Sequence, residues 1–148
     1  MTRRKLPKQA QANEAPVDAL VMASFVTVAV MSRIGAGYDL SLSLMRVLGI
    51  LWDRRPRMTE LADHLGLEKQ TMSGLIARAE ARGLVARAPN TDDGRATDVF
   101  LTSEGTRLVR QLRNEGRQAL APILGRLDAT EQQQLQKLLL RMLEEPGS

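Results

Sequence analysis

Apolar residues return at helical spacing along most of this chain. Val17, Leu20, Val21, Phe25, Val28, Met31 and Ile34 follow one another in steps of mostly three and four, which predicts a first helix over about residues 15 to 36. Gly35 and Gly37 end it. A second helix, capped by Ser41 or Ser43, runs to about Asp53. It carries Leu42, Leu44, Met45, Val47, Leu48, Ile50, Leu51 and Trp52, apolar on nearly every side, as a helix at the centre of a molecule does. Arg54-Arg55-Pro56-Arg57 breaks it. Thr59 is the expected cap of a third helix with Leu61, Ala62 and Leu65 inside, and Gly66 turns the chain. In a fourth helix over 69 to 82, Met72, Leu75, Ile76 and Ala79 form one stripe, and Gly83 ends it. The pattern then shifts to two short strands, Leu84 to Pro89 and Ala96 to Leu101, around the turn residues Asp92-Asp93-Gly94. Thr102 or Ser103 caps a long fifth helix with Leu108, Val109, Leu112, Leu120, Ile123 and Leu124 inside. Pro122 predicts a kink or break in it near residue 121. Thr130 with Gln133 has the spacing of a capping box for a sixth helix, whose apolar face is Leu135, Leu138, Leu139 and Met142. Residues 1–14 are expected to be disordered and those after 144 frayed.

The expected fold is therefore mainly α with one small β-hairpin. Between residues 58 and 101 the order is helix, turn, helix, hairpin, which is that of a helix-turn-helix followed by a wing. The second helix of such a pair is shaped to enter the major groove of DNA. With Met72 placed inward, the outward side of the fourth helix holds Gln70, Gly74, Ala77 and Ala81, with Ser73 and Arg78 at its edges. Gln70 can pair bidentately with adenine, and Ser73 can donate to or accept from several bases. Gly74 and Ala77 are small enough for close approach. Lys69 and Arg78 suit phosphates, and Thr71 suits a phosphate or a thymine methyl. The hairpin adds Arg87, Asn90, Thr91, Asp93 and Arg95. The bland alternatives are a solvated amphipathic helix and a solvated turn with an incidental ion pair.

Composition narrows the function. The chain of 148 residues suits one domain, and 43% hydrophobic content is ample for a core. The only aromatics are Phe25, Tyr38, Trp52 and Phe100. Without cysteine there are no disulfides, thiolate zinc sites or cysteine nucleophiles. His64 is the single histidine, which makes a nucleophilic triad improbable, and no Gly-rich loop follows a strand. No enzyme and no cofactor are expected. The net charge is +4, and Arg3, Arg4, Lys5 and Lys8 precede any acid. Those four account for the whole excess. They form a basic arm that either solubilises the chain or touches DNA phosphates. A polar run from Gln9 to Asp18 separates the arm from the apolar stretch Ala19 to Met31. That stretch is shorter than the roughly 20 residues of a membrane span, so a soluble helix in a cytoplasmic protein is expected, with no membrane partner.

Three fragments resemble the MarR family of bacterial transcription regulators. Leu61-Ala62 to Leu67 resembles its first helix and turn. Thr71-Met72-Ser73-Gly74-Leu75-Ile76, continuing to Arg82-Gly83-Leu84-Val85, resembles its recognition helix. Arg87, Asp93-Gly94-Arg95 and Leu101-Thr102-x-x-Gly105 resemble its wing and the next helix. The likeness extends more loosely over about residues 15 to 143. Gly74 departs from it, since many relatives carry a basic residue there. The resemblance implies that Asp93 orients Arg95 toward the minor groove. It implies a homodimeric repressor on a palindromic double-stranded operator, with 41–102 as the winged helix-turn-helix and 15–38 with 103–144 as the dimerisation region of a single domain over 15–148. It also implies a small, anionic aromatic effector. Phe25, Tyr38, Met45 and Trp52 either line a pocket for it, with Arg33 for the anion, or simply fill core. The competing class is a winged-helix protein-interaction module, which has no need of Arg95 or of small residues at 74 and 77.

Overall fold

A computed structural model of the chain describes residues 8–144. Six helices and one hairpin follow in the expected order: α1 (Lys8–Ala36), α2 (Leu42–Ile50), α3 (Met58–Leu65), α4 (Lys69–Ala81), β1 (Val85–Pro89), β2 (Thr97–Leu101), α5 (Ser103–Leu124) and α6 (Ala129–Leu143). Arg3, Arg4 and Lys5, and the residues after 144, lie outside the described part.

The first helix starts at Lys8, inside the stretch expected to be disordered. Residues 9–15 are mostly Gln and Ala, good helix formers without an apolar stripe, so propensity extends a helix that periodicity does not reveal. Pro16 is accommodated within it. The segment Glu14–Ala36 is 23 residues long with mean hydropathy 1.8. By length and composition alone it could cross a bilayer, so the expectation that it is too short is corrected.

The core centres on α2, as its composition predicts. Val47 and Leu48 are fully buried and meet Leu61 of α3, Met72 and Ile76 of α4, and Val85 and Val99 of the hairpin. Ser41 caps α2 by accepting from the Leu44 N–H at 3.2 Å. The helix ends at Ile50, short of Asp53. Arg57, not Thr59, stands at the start of α3. The backbone there is held extended because Arg57 bridges to Asp98 of β2, and the Glu60 carboxylate accepts the Arg57 N–H at 3.0 Å. The loop before α3 thus forms a rudimentary third strand, with Val99 N–H donating to the Pro56 carbonyl at 2.9 Å. β1 and β2 are antiparallel, paired from Val85↔Leu101 to Pro89↔Thr97.

Thr102 caps α5, its hydroxyl oxygen accepting from Gly105 N–H at 3.0 Å. The helix runs unbroken through Pro122 to Leu124. Proline lies in the last turn, so little helix remains beyond it to be displaced. Asp128, not Thr130, caps α6. Asp128 accepts from Glu131 N–H and Glu131 accepts from Asp128 N–H, each at 2.9 Å. Both Asp128/Glu131 and Thr130/Gln133 have the right spacing, but two carboxylates suit the positive end of the helix dipole better than two neutral groups.

Several apolar residues expected inside are outside in the single chain. Leu120 is half-buried, while Ile123 and Leu124 are exposed. On α1 the residues Val17, Leu20, Val21, Phe25 and Val28 are exposed, and α6 buries none of its residues.

Candidate nucleic-acid interface

Helix α4 turns Met72, Leu75, Ile76 and Ala79 inward, the four residues of the predicted stripe. Lys69, Gln70, Thr71, Ser73, Gly74, Ala77 and Arg78 are consequently all exposed on its other side. A Cβ at Gly74 would meet nothing within 4 Å, so the fold leaves this position open. The exit of α4 is anchored. Gly83 takes φ 72°, which favours glycine. The Arg82 guanidinium donates to the Asp39 and Tyr38 carbonyls at 3.0 and 2.8 Å. This ties the helix to the turn after α1.

The wing differs in detail from its expected chemistry. Asp93 does not hold the Arg95 guanidinium. Its carboxylate accepts from the Arg95 backbone N–H at 3.1 Å, a side-chain-to-backbone turn typical of Asp. Among the described residues the Arg95 guanidinium makes no ion pair. Asn90 builds the turn as well: its side-chain oxygen accepts from Asp92 and Asp93 N–H at 3.0 and 2.9 Å. Thr91 is exposed at the tip. Arg87 is engaged by Glu80 of α4, with contacts of 2.8 and 3.3 Å. The hydrogen bond to Glu80, then its charge, raises the Arg87 pKa above the ordinary guanidinium value. Arg87 therefore ties β1 to α4 through Glu80.

Three groups in this region escape sequence reasoning. Glu80 belongs to no local pattern with Arg87. Asp98 is a buried carboxylate, 7% exposed, on β2. Arg55 stacks with its guanidinium carbon 4.0 Å from the Phe100 ring centre. Each is a partner made by tertiary folding, and no spacing rule reaches across the loop from residue 55 to residue 98.

The four residues considered for a ligand pocket do not come together. Phe25 is exposed on α1. The Tyr38 hydroxyl donates to Glu115 of α5, and that hydrogen bond, with some burial and the carboxylate charge, raises the phenol pKa. Trp52 lies under Arg113 of α5 at 5.1 Å. Only Met45 lines the cavity of about 280 Å³ between α1, α2 and α5, beside Met31, Leu48, Leu112, Arg113 and Arg117. Arg33 is exposed elsewhere, so the cations at this cavity come from α5 instead. His64 is exposed on α3, and among the described residues no cluster of three metal-binding side chains occurs.

The sequence profile of the MarR family matches residues 38–96, which run from the turn before α2 into the wing. An HTH-type transcriptional repressor of Mycobacterium tuberculosis is 35% identical over 89 residues, 60% of this chain and 61% of that protein. The chain thus spans under two thirds of that repressor's length. The transcriptional regulator HosA of Escherichia coli is 33% identical over 97 residues, covering 58% of this chain and 72% of HosA. The chain belongs to the MarR family. The relatives named are regulators and not enzymes. The fold of this MarR-family chain also matches that of NadR, solved with 4-hydroxyphenylacetate, at TM-score 0.72 and 19% identity over 97% of this chain and 99% of NadR.

Proposed function

We propose that this MarR-family chain is a sequence-specific, double-stranded DNA-binding transcriptional regulator of the cytoplasm. It acts as a homodimeric repressor on a palindromic operator and responds to a small anionic aromatic effector. One observation carries the reading: the whole outward side of α4 is solvent-exposed next to a hairpin whose tip carries Arg95, in no ion pair among the described residues. A surface helix with no partner would need neither the small residues at 74 and 77 nor the Glu80–Arg87 clamp that fixes the wing against it. In this reading residues 41–102 read DNA, while 15–38 and 103–144 join the subunits. Arg3, Arg4 and Lys5 add phosphate contacts. The cavity beside Arg113 and Arg117 is the place for an anion, and NadR's bound 4-hydroxyphenylacetate gives the ligand class to try first.

The test is a titration of duplexes selected from random DNA, repeated across salt concentrations. Affinity that falls steeply with salt supports the reading, and no salt-sensitive affinity for any duplex overturns it. Two substitutions then divide the work of the interface. Arg95→Ala weakens binding to many sequences and lowers the salt dependence by about one contact. An unchanged slope removes the wing from the mechanism. Gln70→Ala changes which sequence is preferred more than it changes overall affinity, as expected of a base reader. Recovery of the same sites from the random pool by the variant assigns base reading elsewhere.

A further inference from the structure

The wing tip is connected to the body of the protein by a continuous polar path. It begins in the loop before α3. The Arg55 guanidinium covers the Phe100 ring at 4.0 Å, and its Nε lies 3.7 Å from Oδ2 of Asp98. The other oxygen of Asp98, Oδ1, accepts from Asn90 Nδ2 at 2.8 Å. The Asn90 Oδ1 accepts from the N–H groups of Asp92 and Asp93, and the Asp93 carboxylate accepts from the N–H of Arg95. Asp98 is also fixed through its backbone, bridged to Arg57 at the entry to α3.

Asp98 is the one buried charged residue among those described. A buried carboxylate, even a paired one, often adds no more stability than an apolar residue of similar size, and a β-branched residue would suit a strand better. Stability alone therefore gives no reason for it. We propose that Asp98 and Asn90, backed by Arg55, are positioning residues for DNA binding: they hold the hairpin tip in one orientation relative to α3 and so aim Arg95. This rests on the reading of the chain as a DNA-binding protein. The physical gain is preorganisation. An ordered tip loses less conformational freedom when its arginine is bound, so more of the contact energy appears as affinity. Asp93 alone cannot aim the arginine, because it holds only the Arg95 backbone.

The experiment is a double-mutant cycle on the best selected duplex, with amide hydrogen exchange on the free protein. Asp98→Asn keeps the side-chain volume but removes the charge facing Arg55. Asn90→Ala cuts the same path at the half-buried tip, where misfolding is not a concern. Arg95→Ala is expected to weaken binding about tenfold in the otherwise natural protein and about twofold or less once Asn90 or Asp98 is replaced. The amides of Asp92, Asp93 and Arg95 should exchange about tenfold faster in either relay variant. An equal cost of Arg95→Ala in all backgrounds overturns the proposal, even if the amides loosen. Unchanged exchange at the tip also overturns it. Absence of any duplex affinity in the natural protein is a different failure: it removes the DNA reading, while the exchange rates still decide whether the relay orders the tip.

Discussion

Gly105→Ala is expected to destabilise the protein by at least about 3 kcal/mol, and in marginal conditions to prevent folding. A Cβ at this position would stand 1.9 Å from the Leu84 carbonyl oxygen and 2.9 Å from its carbon. These are backbone atoms, so no rotamer change relieves the clash. Nor is that backbone free to shift. The Leu84 carbonyl accepts from Thr102 N–H at 3.1 Å, and Leu84 N–H donates to Ala79 at 2.9 Å. One residue earlier, the Gly83 carbonyl accepts the Thr102 hydroxyl at 2.6 Å. Moving α5 away instead would open the buried contacts of Val109 and Leu112. Gly74→Ala is the matched control. It also adds one methyl to a helix, but in open space. Removing a mid-helix glycine should leave stability unchanged or raise it by up to about 1 kcal/mol. Chemical denaturation of the two variants checks both. A midpoint for Gly105→Ala close to that of the natural protein would show that the approach of α5 to β1 is looser than the structure has it.

The same glycine illustrates what could be read from the sequence. Gly105 stood out there only through the likeness of Leu101-Thr102-x-x-Gly105 to a family pattern. Its physical cause, a carbonyl from the start of the hairpin pressed against the first turn of α5, joins positions about twenty residues apart. Local rules do not contain such contacts. The buried stripe of α4 was legible because four apolar residues at helical spacing have only one way to share a face. The hairpin was legible from its turn residues. Caps were less so: Asp128/Glu131 and Thr130/Gln133 both satisfy the spacing, so spacing alone does not separate them, and the charge of the first pair at the helix dipole does. The wing shows the limit most clearly. Asp93 and Arg95 are two residues apart, but proximity in sequence does not say whether the acid takes the guanidinium, as expected, or the amide, as it does here. The partners that decide the wing's attitude, Glu80 for Arg87 and Asp98 for Asn90, are seven and eight residues away and belong to different elements or strands.

Charging the outer face of α6 is expected to break the assembly and lower duplex affinity by about a hundredfold or more. The variant is Leu138→Glu with Met142→Glu, two residues one turn apart that are 46% and 59% exposed in the single chain. Glutamate is a good helix former, so neither change should damage a helix whose face is already in water. Yet α6 is a helix of 15 residues with none buried. Isolated helices of that length are marginal, and helices in proteins draw their stability from packing an apolar face. Something must therefore cover Leu138 and Met142, and α1 offers a second bare apolar face through Val17, Leu20, Val21 and Phe25. In the proposed homodimer a second copy of the chain brings both faces in duplicate, and the two-fold pair would space two α4 helices for the two halves of a palindrome. One helix reads too few base pairs for useful affinity, so a monomer forfeits the second contact and the gain from linking the two. Sedimentation at micromolar concentration measures the assembly, and the selected duplex measures the affinity. If the natural protein sediments as a monomer and still binds tightly, or if the charged variant is monomeric with full affinity, then α6 serves some partner other than a second subunit and the palindrome is not required.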